Sequence, residues 1–235
     1  MVVTKPEDNE DEEVIADKPV EDTPIQHGYT SQADSVDGDP CFLIEVPQKK
    51  DHLRFNINLD PDVVLNLVND PITGITVNGQ LIGKKKISNN AQKTYIGKPG
   101  IVNRQLDLKI EITTEKIALQ NGRKTDSFTW LDTVILQQES VAMKINRKKN
   151  LVLSFRDGAT FIAVVHQVWK KHSLRHNFLG LYTQDSHKLP EHTHGLLGQF
   201  FQHIYFEIFD VHPGSDFEKS HATMIVKNNK LTVTR

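Results

Sequence analysis

The sequence predicts an all-β fold, an antiparallel β-sandwich or flattened barrel, behind a disordered acidic tail. Three observations predict it. Beyond residue 40 apolar residues recur with period two far more often than 3.6, as strands with one face on a core and one on water require. Turn dipeptides punctuate these runs: Asp70-Pro71, Asn78-Gly79, Asn121-Gly122, Asp157-Gly158 and Pro213-Gly214. Composition also changes abruptly near residue 40. Residues 1–40 carry 12 acidic residues against two basic ones, a charge of −10, whereas the remainder carries +8. An acidic stretch with few large apolar groups cannot offset its ordering entropy, so residues 1–38 are expected to be a disordered linker and residues 39–235 a β-rich domain.

The elements follow in order. Phe42-Leu43-Ile44 opens the apolar part. Leu53, Phe55, Ile57 and Leu59 alternate with Arg54, Asn56 and Asn58. Residues 61–69 have the length of a short helix, but β-branched Val63, Val64 and Val68 favour a strand. Val77-Asn78-Gly79-Gln80 reads as a two-residue hairpin. Leu106, Leu108, Ile110 and Ile112 alternate cleanly with polar residues, and Met143 and Ile145 continue the pattern. Phe161-Ile162-Ala163-Val164-Val165 is a continuous apolar run, expected to be a central strand. Tyr205, Phe206, Ile208 and Val211 form a looser strand, and Ile225-Val226 with Leu231 and Val233 end the pattern.

The seam at Gly38-Asp39-Pro40-Cys41 has its own chemistry. The Asp39 carboxyl can attack its own main-chain carbonyl to give a five-membered anhydride. The tertiary-amide nitrogen of Pro40 is easier to protonate and expel than an ordinary amide nitrogen. Because the attack is intramolecular, its effective concentration is high. The product is a C-terminal Asp39 or, if a hydroxyl intercepts the anhydride, an ester of Asp39. Asp-Pro is equally a common turn opener, the bland reading of the same dipeptide.

Around this seam the sequence resembles the C-terminal region of inter-α-trypsin inhibitor heavy chains. The resemblance rests on Val36-Asp37-Gly38-Asp39-Pro40, Ile44-Glu45-Val46-Pro47-Gln48-Lys49, Gly74-Ile75-Thr76-Val77-Asn78-Gly79-Gln80-Leu81-Ile82-Gly83 and Thr94-Tyr95-Ile96-Gly97-Lys98. It continues through His166-Gln167-Val168-Trp169-Lys170-Lys171-His172 and Thr193-His194-Gly195-Leu196-Leu197-Gly198-Gln199-Phe200-Phe201. A weaker similarity links Gly38-Asp39-Pro40 and Gly195-Leu196-Leu197-Gly198-Gln199-Phe200 to von Willebrand factor type D modules. The heavy-chain resemblance implies scission between Asp39 and Pro40. It further implies esterification of the Asp39 main-chain carboxyl to the chondroitin sulfate of bikunin, then transfer to hyaluronan, in an extracellular setting. That family has His after the Pro, the natural group to protonate the departing nitrogen. Cys41 stands at this proton-transfer position here. Arg54 stands where the family has Cys before Phe-Asn-Ile.

Other features narrow the function. Lys84-Lys85-Lys86, Arg147-Lys148-Lys149 and Lys170-Lys171 are basic clusters that could meet sulfate and carboxylate groups of glycosaminoglycans, or could simply be solvated loop charge. No motif for reading nucleic acid accompanies them. His192-x-His194 and His172-x₃-His176 have ligand-like spacing, but no third ligand is fixed, so no metal is expected. No Ser/His/Asp set or phosphate loop stands out, and neither a cofactor nor enzymatic turnover is expected. The single Cys permits no internal disulfide. The N-terminus does not read as a signal peptide, and no apolar run is long enough for a transmembrane helix. The competing reading is a non-reactive β-domain that binds acidic polysaccharide or a protein.

Overall fold

The computed structural model describes residues 34–37, 41–46, 51–57, 59–83, 94–156, 158–167, 177–201, 206–213, 220–226 and 229–234. Its strands are β1 (Asp34–Asp37), β2 (Cys41–Val46), β3 (Asp51–Asn56), β4 (Val64–Asp70), β5 (Ile75–Gly83) and β6 (Thr94–Asn103). Next come β7 (Leu108–Ile112), β8 (Lys116–Asn121), β9 (Lys124–Thr129), β10 (Val134–Gln137), β11 (Val141–Asn146) and β12 (Asn150–Phe155). The last are β13 (Thr160–His166), β14 (Phe178–Gln184), β15 (Phe206–Pro213), β16 (Ser220–Val226) and β17 (Asn229–Thr234). Two single 3₁₀ turns, Ser186–Lys188 and Gly198–Phe200, are the helical elements among the described residues.

The strands form two open antiparallel sheets, a sandwich rather than a closed barrel. One has 11 strands in the order β10-β11-β12-β13-β14-β1-β2-β3-β17-β16-β15; the other has six, β4 to β9 in sequence. Their facing sides share one apolar core that includes Phe42, Phe55, Val77, Ile110, Phe161, Leu181, Leu197 and Met224. Alternation drives the burial: in β7, Leu108, Ile110 and Ile112 are buried while Lys109 and Glu111 are exposed. β13 lies between β12 and β14 with Phe161 through Val164 all buried, as its unbroken apolar run predicts.

Several expectations shift. Residues 64–70 are strand, as the valines favour, and not helix. A register shift between Asn66 and Val68 buries both Leu67 and Val68, which spoils the period-two signal. The expected Asn78-Gly79 hairpin does not form; both residues lie inside continuous β5. Gly79 is there for space, since a Cβ would sit 2.8 Å from Ile96 Cδ1 and 3.1 Å from Leu67 Cδ1. The backbone reverses instead at residues 71–74, where the buried Asp70 carboxylate accepts from the amides of Ile72 (2.9 Å) and Thr73 (3.3 Å) and from the Thr73 hydroxyl. The looseness around Val211 is a bulge: register shifts between Phe209 and His212. Finally, β1 falls inside the span assigned to the linker. It pairs on both sides, and those two ladders supply the backbone hydrogen bonds that an acidic segment alone lacks.

Candidate functional site at the β1–β2 seam

β1 is held by two ladders. Asp34, Ser35 and Val36 face Thr183, Tyr182 and Leu181 of β14; Ser35, Val36 and Asp37 face Leu43, Phe42 and Cys41 of β2. Gly38, Asp39 and Pro40 connect Asp37 to Cys41 and lie outside the described residues. The seam therefore joins two strands that are neighbours in the sheet.

A cluster of rings lies beside the end of β1 from which the seam departs. On β14, Phe178, Gly180 and Tyr182 share one face. His166 is the register partner of Phe178, and the two rings stack at 4.6 Å. Tyr95 of β6, from the other sheet, stacks on Phe178 at 4.9 Å. Gly180 leaves the gap these groups fill. A Cβ there would lie 2.9 Å from His166 Nε2 and 3.3 Å from the Tyr182 hydroxyl. One residue beyond the Val36–Leu181 pair, the register brings Asp37 opposite Gly180. An imidazole and a phenol, two side chains suited to carrying a proton or donating a hydrogen bond, thus converge one strand from Asp37. The sequence signal was present in His166-Gln167-Val168-Trp169, but nothing in it points across the sheet to the seam.

Two of the basic clusters root at this same end. The β5–β6 connection, with Lys84, Lys85 and Lys86, springs from the Gly83–Thr94 pair, adjacent to Tyr95. The β13–β14 connection, with Lys170 and Lys171, springs from the His166–Phe178 pair. These five lysines lie outside the described residues, but the strand ends that carry them do not. Arg147, Lys148 and Lys149 are described and exposed, in the tight β11–β12 turn where Lys148 takes φ 56° and its amide donates to the Trp130 carbonyl at 2.7 Å. The register row Asn150–Val164–Gly180 sets that turn three strands from β1, about 14 Å at ordinary strand spacing. Asp60 and Asp62, in the β3–β4 connection, lie at this end too and temper its positive charge.

His194-Gly195-Leu196-Leu197 serves a structural end. It runs along the open side of β4: the His194 and Asn69 backbones exchange hydrogen bonds at 2.7 and 2.9 Å, and the Leu196 and Leu197 amides donate to the Asn66 and Leu67 carbonyls. The motif feeds the 3₁₀ turn Gly198–Phe200. His194 Nε2 lies 3.1 Å from Asn69 Nδ2, and His192 sits in a turn, so the two do not form a strand-face pair. Among the described residues no group of three His, Cys, Asp or Glu could hold a metal ion. No helix among them is long and apolar enough to cross a membrane.

Fold and seam together define an all-β domain with an Asp-Pro bond between two central strands. The family model for the C-terminus of the inter-alpha-trypsin inhibitor heavy chain matches residues 72–235, and the protein belongs to that family. It is 54% identical over its whole length to inter-alpha-trypsin inhibitor heavy chain H3 of Pongo abelii and 52% identical to that of Homo sapiens, covering 27% and 28% of those proteins. It is 52% identical to heavy chain H1 of Homo sapiens over 85% of its own length and 22% of the relative's. The sequence thus spans about a quarter of the length of these relatives.

Proposed function

We propose that this is a propeptide-type C-terminal region, extracellular, whose Asp39-Pro40 bond breaks so that Asp39 is esterified to the chondroitin sulfate of bikunin or to hyaluronan, in hyaluronan metabolism and matrix stabilisation. The observation that carries the reading is the one crowded end: the strands flanking the seam, the His166–Tyr182 pair and the roots of two basic clusters meet there, with a third three strands away. The chemistry balances. A carboxyl oxygen of Asp39 bonds to its main-chain carbonyl carbon, the bond to the Pro40 nitrogen breaks, and the carboxyl proton ends on that nitrogen. A glycan hydroxyl oxygen then bonds to the main-chain carbon, the anhydride bond from that carbon to the side-chain oxygen breaks, and the hydroxyl proton passes to the freed side-chain carboxylate. The event happens once per molecule, on its own bond, and is not enzymatic turnover. Lys84, Lys85, Lys86, Arg147, Lys148, Lys149, Lys170 and Lys171 would draw the polyanionic acceptor to that end by charge attraction that salt screens.

The test is intact mass over time, with and without chondroitin sulfate, for wild type and Asp39→Asn. Cleavage after Asp39 that the substitution abolishes supports the reading. An unchanged mass under every condition sinks it. Cys41 in place of His favours a second reading, a non-reactive domain that binds acidic polysaccharide or a protein partner. Salt-sensitive retention on a sulfated polysaccharide, with the Asp39-Pro40 bond intact, is its signature.

A further inference from the structure

We propose that β1 is a retention strand: after the backbone is cut at the seam, the N-terminal fragment stays bound because its last strand remains inserted between β14 and β2. The proposal rests on the scission reading for its biological setting, but the geometry stands without it. β1 occupies the sixth place in an 11-stranded sheet, with five strands on either side. Among the described residues it is the sole ladder joining the β10–β14 half to the half built from β2, β3, β17, β16 and β15. Breaking the Asp39-Pro40 bond removes none of those rungs, for each lies at or before Asp37 on the N-terminal side. Withdrawal of β1 would strip the partners from Leu181, Tyr182 and Thr183 on one side and from Cys41, Phe42 and Leu43 on the other. Two open edges would then face each other in the middle of the sheet, a state that costs hydrogen bonds and invites foreign strands.

The slot is thus a binding site for an extended acidic segment, Asp34-Ser35-Val36-Asp37, that continues to the new Asp39 carboxyl. Departure of the esterified fragment becomes a strand-withdrawal step separate from the chemistry. Before the cut the seam holds β1 at high effective concentration; afterwards the ladders alone do so, and a second copy of the same segment can compete.

The experiment uses the whole 235-residue sequence with a specific endoprotease site inserted between Pro40 and Cys41, cut under native conditions. The cut makes the outcome independent of self-scission, which intact mass of the uncut wild type reports separately. The expected result is one species on native gel filtration and two fragments in denaturant. An excess of synthetic peptide spanning residues 30–39 should displace the fragment, whereas the same peptide with Val36→Pro should compete roughly ten-fold less well or worse, having lost a ladder donor at one of the two residues that pair on both sides. Fragments that separate at once in native buffer overturn the proposal. So does a wild-type peptide that competes no better than its proline counterpart.

Discussion

At the scale of single residues, glycines report where backbone and side chains crowd. Gly195 takes φ +100°, and a Cβ there would sit 2.7 Å from the Leu67 carbonyl oxygen, a backbone atom that cannot step aside. Gly195→Ala should therefore cost about 2–4 kcal/mol, read as a lowered denaturation midpoint. Gly180 differs in kind. Its added methyl would meet the ends of the His166 and Tyr182 side chains, which can swing away. Gly180→Ala should cost about 1 kcal/mol or less in stability yet displace both rings from the β1 side. If they handle the proton at the seam, scission by intact mass should slow by roughly ten-fold or more while the denaturation midpoint barely moves. Equal rates in the two proteins would remove that pair from the chemistry.

At the scale of elements, the clean strands were legible and the distorted ones were not. β7, β11 and β13 show their burial in the letters of the sequence because each keeps one register throughout. β4 and β15 hide theirs behind bulges. β6 escaped because Gly97, Pro99 and Gly100 look like loop. Pro99 is tolerated since the β7 ladder begins only at Gly100, and Gly97 is demanded by Ile82, whose side chain occupies the space of a Cβ. The Asp39-Pro40 dipeptide was legible as a motif, but its neighbours His166 and Tyr182 were not, because β13 and β14 reach it through more than a hundred intervening residues. The β11–β12 turn yields a further prediction. Changing Arg147, Lys148 and Lys149 together to Gln should leave stability within about 0.5 kcal/mol, these side chains being exposed. It should also shift elution from a sulfated-polysaccharide column to lower salt, since three positive charges are lost. Unchanged elution would mean that this turn does not meet the polyanion.

At the scale of the whole molecule, a single apolar cluster runs through both sheets, so denaturant unfolding should be one cooperative transition seen alike by tryptophan fluorescence and far-ultraviolet circular dichroism. Two separated transitions would show that the β10–β14 half and the β15–β17 half stand independently. The central place of β1 also has a mechanical meaning. The polypeptide preceding Asp34 enters the sheet at one end of β1, and the seam leaves from the other. A pull on that preceding segment runs along the strand axis and loads the rungs to β14 and β2 in shear, all at once, rather than peeling them one by one. Tension applied upstream is thus spent on two ladders before any of it reaches residues 38–40, and the Asp39-Pro40 bond is shielded from stretching by the strand that precedes it.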